Sequence, residues 1–130
     1  MIRRLLTATI LLTGAFLFTS CGSGSDPHCR IYLVSDNTGT IDSLKVVDSP
    51  ASGNWGPNLL NEPAEYLEEH PTWRVFRFAA GRTVDHQLIY TIGARTETYE
   101  EQNGTCRDGQ GMKYDLNGGG MYCTTFNFDH

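Results

Sequence analysis

The stretch Val84-Asp85-His86-Gln87-Leu88-Ile89-Tyr90-Thr91-Ile92-Gly93-Ala94-Arg95-Thr96-Glu97-Thr98-Tyr99-Glu100-Glu101 decides the fold class. In its first half, Val84, His86, Leu88, Tyr90 and Ile92 alternate with Asp85, Gln87, Ile89 and Thr91, the two-residue period of a strand with one buried face. Gly93-Ala94 then fits a two-residue type II′ turn, because glycine takes the positive φ of the first central position without a Cβ clash. Residues 95–101 form the returning arm of this hairpin.

Working outward, residues 30–35 are a near-continuous apolar run, and residues 41–47 follow after the turn-rich Asp36-Asn37-Thr38-Gly39, so the pair is expected to form a hairpin. Residues 112–116, the turn Asn117-Gly118-Gly119-Gly120 and residues 121–128 read as another hairpin, with Tyr122, Thr124, Phe126 and Phe128 on one face. Residues 73–78 supply one more strand. Within the long connection 48–72, Glu62-Pro63-Ala64-Glu65-Tyr66-Leu67-Glu68-Glu69-His70 is expected to be a short helix over 62–70, with Asn61 as N-cap and Pro71 as its stop. The reading is all-β: a small antiparallel β-sandwich or barrel of about seven short strands with one short helix.

Composition bounds the function. The chain has 130 residues, 39% of them hydrophobic, with 14 glycines, four cysteines and a net charge of -5. One domain is expected, and a coiled coil, a polytopic membrane protein and a multidomain enzyme are excluded. Met1-Ile2-Arg3-Arg4, an apolar run over 5–18 and the small residues before Cys21 have the charged, apolar and cleavage regions of an export signal. The apolar run is too short, and too interrupted by Thr7, Thr9, Thr13 and Gly14, for a bilayer-spanning helix of about 20 residues. Loss of Arg3 and Arg4 leaves eight basic residues against 15 acidic ones, a charge of -7. Nucleic acid is therefore not an expected partner, since phosphate binding needs clustered cations.

The sequence Leu17-Phe18-Thr19-Ser20-Cys21-Gly22-Ser23-Gly24-Ser25 resembles a bacterial lipoprotein signal, in which the cysteine ending the lipobox becomes the lipidated N-terminus. The resemblance implies a signal peptide over 1–20, lipidation of Cys21, a tether over 21–28 and a single β-domain over 29–130. It also implies a membrane partner through the lipid anchor, on the outer membrane where the cell has two, since no Asp follows Cys21. Ordinary secretory cleavage after Gly22 is the rival reading and would release a free domain. The seven residues 22–28 span at most roughly 25 Å, so an anchored domain sits close to the bilayer.

A second resemblance covers about half of the domain. Asn37-Thr38-Gly39 with Ile41 and Leu44, then Ser49-Pro50-Ala51-Ser52-Gly53-Asn54-Trp55-Gly56-Pro57-Asn58-Leu59-Leu60, is similar to an uncharacterised family of small bacterial exported domains. Asp85 to Tyr90, Gly93 and Arg95 to Tyr99 are similar to that family's later hairpin. The resemblance implies an all-β fold and no particular activity. The family's hairpin often carries a cysteine pair; Cys106 matches its second member, and no cysteine stands near Thr83 to match the first.

With Cys21 lipidated, Cys29, Cys106 and Cys123 remain, enough for one disulfide and one free thiol. Cys106–Cys123 is the leading pair, because 16 intervening residues with a flexible turn close at a gain of about 3 kcal/mol. Cys29–Cys123 is the other reading if the terminal strands are neighbours. His28, His70, His86 and His130 have no metal-ligand spacing, so neither a metal nor a cofactor is expected.

Other chemistry is sparse. His86 is expected as a hydrogen-bonded core histidine, His28 and Cys29 as side chains pointing to opposite sides, and Glu68-Glu69 and Glu100-Glu101 as solvated charge. The run 36–42 reads as a turn rather than a calcium loop. No nucleophile with a base and an orienting group can be assembled. A non-catalytic envelope lipoprotein binding an envelope protein or glycan through its loops is therefore the expected function; a small hydrolase or inhibitor-type factor using exposed carboxylates is the alternative. Asn54, Trp55 and Asn58 form the possible binding loop. Trp55 itself is expected to be mostly buried, with Trp55→Ala costing about 3 to 5 kcal/mol.

Overall fold

The computed structural model describes residues 26–129. The signal segment, Cys21 and most of the tether lie outside these residues. Seven strands follow in order: β1 (His28–Ser35), β2 (Thr40–Asp48), β3 (Arg74–Ala79), β4 (Arg82–Ile92), β5 (Arg95–Cys106), β6 (Gln110–Asn117) and β7 (Gly120–Asn127). They form a sandwich of two sheets, one ordered β3-β1-β6-β7 and the other β2-β4-β5.

Between the sheets, Ile31, Leu33, Leu44, Leu88 and Tyr114 make the central core, with Phe76, Phe78, Tyr99 and Met121 packed against it. The two hairpins with glycine turns form as the sequence indicates. Ile92 pairs with Arg95 across Gly93-Ala94, with Gly93 at φ 60°, and Asn117 pairs with Gly120 across Gly118-Gly119.

Three expectations are corrected. First, β1 and β2 do not form a hairpin, because they belong to different sheets. β1 sits between antiparallel β3 and parallel β6, and Ile31, Tyr32 and Leu33 are all buried. A continuous apolar run is the mark of a strand covered on both faces, which the arm of a one-sided hairpin is not. The parallel β1–β6 pair also means that the sandwich is not wholly antiparallel. Asp36 fixes the crossing between sheets: its Oδ1 accepts from Thr38 N at 3.0 Å and Thr38 Oγ1 at 2.7 Å, and its Oδ2 accepts from Gly118 N at 3.3 Å.

Second, there is no helix over 62–70. That segment has no apolar stripe, Pro63 removes a donor, and its carboxylates repel at helical spacing. Residues 65–67 run instead along the free edge of β3, where Val75 N donates to Glu65 O at 2.9 Å and Leu67 N to Trp73 O at 3.1 Å. Leu67 joins Tyr32 and Val75 in a second small core, flanked by Trp73 and Phe126. Among the described residues the one helical turn is a 3-10 turn at Leu59–Asn61, capped by Asn58 rather than started by Asn61.

Third, the disulfide is Cys29–Cys106, and Cys123 is free and exposed. Cys106 ends β5 at the level where β1 begins, whereas Cys123 lies halfway along β7 opposite Tyr114. The bridge therefore ties one sheet to the other. It joins residues 77 apart, a closure contributing about 4.5 kcal/mol in the chain-entropy model.

Candidate functional site

A bulge opens the site. The pairing of β4 with β5 shifts between Val84 and His86, and Asn103 adopts φ 58° opposite it. The extra residue lies on β5, where Gln102 and Asn103 both stand between the pairs that flank Asp85, and the loop after β2 covers Asp85, so Val84, Asp85 and His86 are all buried. Asp85 is thus not the solvent-side residue that simple alternation makes it. Its carboxylate accepts the Ser49 hydroxyl, the Ala51 N–H at 2.8 Å and the Asn103 N–H at 2.9 Å. The Ser49 hydroxyl first, then the Asn103 and Ala51 amides, hold its carboxyl below the usual carboxylate range. One ionised side chain therefore binds the loop after β2 to the β4–β5 bulge.

That loop carries the residues singled out from the sequence, and it separates them. Asn58 is used structurally: its Oδ1 accepts from Leu44 N at 3.1 Å and Leu60 N at 3.0 Å, and its Nδ2 donates to Asp42 O at 3.1 Å. Asn54 closes a turn through its backbone, with N donating to Ala51 O at 2.8 Å, and its side chain is exposed. Trp55 is only partly buried, which is less than expected. It borders a groove of about 490 Å3 whose other walls include Pro50, Ser52, Glu100, Gln102 and Asn103. Gln102 and Asn103 were not singled out from the sequence, and Glu100 was read only as solvated charge. The Asn103-Gly104 dipeptide is the signal that marks their bulge.

A second opening, about 320 Å3, lies where the sheets part beside the disulfide. His86 is 6% exposed, and its Nδ1 is 2.8 Å from the Tyr114 hydroxyl. It is the hydrogen-bonded core histidine expected, and burial lowers its pKa, so the ring is neutral at physiological pH. Its Nε2 and a Glu101 carboxylate oxygen each come within 3.9 Å of where a Gly104 Cβ would stand. Glu101 is half-buried and accepts from the Tyr99 hydroxyl at 3.1 Å, so it is not the freely solvated charge expected.

No activated nucleophile stands in this opening. Cys123 is exposed as a residue, but its sulfur sits 4.0 Å from the Tyr99 hydroxyl, and desolvation there pushes the thiol up, as burial does the Tyr99 and Tyr114 hydroxyls. His28 and Cys29 do diverge. His28 Nε2 accepts from Arg30 Nε at 3.2 Å, while Cys29 is in the disulfide. Asp36 is held low by the Thr38 hydroxyl and amide, as befits a turn carboxylate. Among the described residues, no three His, Cys, Asp or Glu side chains are placed to hold a metal ion. His70 stacks on Trp73 with ring centroids 4.0 Å apart.

No protein family, curated protein or solved structure matches this chain.

Proposed function

We propose that this chain is an envelope lipoprotein, anchored through Cys21, whose β-domain is a non-catalytic module that binds an envelope glycan in the Trp55 groove. The observation that carries the reading is the placement of a part-exposed indole beside one carboxylate and two amides, Glu100, Gln102 and Asn103, on a loop held by Asp85. An aromatic face packs against the C–H face of a sugar ring, while carboxylate and amide groups supply acceptors and donors for its hydroxyls. A loop already fixed before binding loses little entropy on binding. The hydrolase alternative needs a carboxyl with a raised pKa to act as acid; the two carboxylates with shifts, Asp36 and Asp85, are both lowered and both engaged in hydrogen bonds.

The test uses the full chain in detergent with Trp73→Phe, leaving Trp55 as the sole tryptophan. Soluble glycan strands released from the cell wall should quench or shift its fluorescence with saturation, and Gln102→Ala should weaken the response. Unchanged fluorescence, together with no retention on immobilised glycan, would overturn the reading.

A further inference from the structure

The two sheets have four edges between them, and three carry devices that discourage pairing with another chain. β3 bears Arg74 and Arg77 and is bridged by Tyr66. β2 bears Asp42, Lys45 and Asp48, with a register shift between Ile41 and Ser43. β5 bears Arg95, Glu97, Glu100 and Glu101 and faces the bulge in its pairing with β4. Charges, bulges and coverage are the usual protections of an edge strand.

β7 has none of them. Its sequence Gly-Met-Tyr-Cys-Thr-Thr-Phe-Asn contains no charge and no proline, and it pairs with β6 without a shift along its whole length. Because the hairpin closes on a two-residue turn, Tyr122, Thr124 and Phe126 direct their backbone groups toward β6, and Met121, Cys123 and Thr125 direct theirs to the open edge. The Phe128 N–H bond to Gly109 O, 2.8 Å, continues the same alternation. Tyr122, 59% exposed, stands on this strand.

We propose that β7 is a homodimer edge, pairing antiparallel with β7 of a second copy about a two-fold axis at Cys123. The occupant is a second copy because the strand is self-complementary in this register. Tyr122 falls opposite Thr124 of the second copy, an aromatic and β-branched pair of the kind that stabilises antiparallel sheets, and Met121 falls opposite Thr125. The strand is also an uncharged strip on a domain that otherwise carries -7, so two copies meet here with the least repulsion. Pairing joins the four-stranded sheets into one continuous sheet of eight. An interface of one strand pair is small beside the ~1,200 Å2 of stable complexes, so the dimer dissociates on dilution.

The full chain in detergent should show a dimer mass by light scattering that falls to the monomer on dilution, and a short bis-maleimide should cross-link it through Cys123 but not in Cys123→Ser. Thr125→Pro removes a donor facing the open edge and leaves the β6 ladder intact. Tyr122→Lys adds an edge charge. Both should be monomeric at every concentration, with the wild-type melting temperature. If Thr125→Pro fails to fold, Tyr122→Lys decides. A wild type that is monomeric throughout, or a folded variant that stays dimeric, overturns the proposal.

Discussion

The Nδ1 atom of His86 lies 2.8 Å from the hydroxyl of Tyr114, joining β4 of one sheet to β6 of the other inside the sandwich. Two large polar side chains, both nearly excluded from water, satisfy each other where most neighbours are apolar. Tyr114→Phe keeps the ring and leaves the imidazole nitrogen without this partner. It should lower stability by about 1–3 kcal/mol in urea denaturation at neutral pH.

The same ring gives a pH dependence. Burial lowers the His86 pKa below its ordinary 6.5, so below that pH the unfolded chain takes up a proton that the folded one resists. Stability should therefore fall as pH drops through about 6.5 and below. His86→Phe should flatten that part of the Tm-against-pH curve; an unchanged slope would place the titration elsewhere.

Asp85 acts in a separate window. Its folded pKa is held below the ordinary 3.8 by Ser49, Asn103 and Ala51, so its contribution is full above that value and is lost as pH falls through the lowered one. Asp85→Asn puts an amide among donors and should loosen the 49–57 loop. Faster hydrogen exchange at Ala51 and Asn103, with the β6–β7 hairpin unaffected, is the expected result.

Thiol counting on the denatured, unreduced protein should find Cys123 reactive and Cys29 and Cys106 blocked. Cys29→Ser/Cys106→Ser should lose about 2–5 kcal/mol of stability. A reactive Cys106 with Cys123 blocked would reverse the pairing.

Radiolabelled palmitate should enter the wild type and not Cys21→Ser. Equal labelling of both would remove the anchor.

Where structure depends on neighbours in sequence, the sequence is legible. The β4–β5 alternation and the Gly93-Ala94 and Gly118-Gly119 turns need only a few adjacent residues, and all three form as read. Which strand lies beside β1 depends on residues up to about 80 positions away, and so does the partner of Cys106; no local period encodes either. The groove was legible in part. Trp55 marks itself by its type, but Asp85 becomes a buried clamp only because the loop after β2, more than 30 residues earlier, folds over it, and Gln102 enters the site through the extra residue on β5.

The parallel course of β1 and β6 gives the domain a definite up and down. His28 begins β1 at the end where the tether arrives, and its ring lies 5.2 Å from that of Phe128, so both ends of the domain meet there. The connections at that end are the loop after β2, the 80–81 turn and the 107–109 turn, while the opposite end shows the crossing at 36–39 and the glycine hairpins. Were Cys21 lipidated as proposed, the tether would reach the domain at this end, from which the Trp55 loop departs, and the tight turns would lie at the far end. An anchored copy would then present its groove to molecules held at the membrane surface before those that diffuse past.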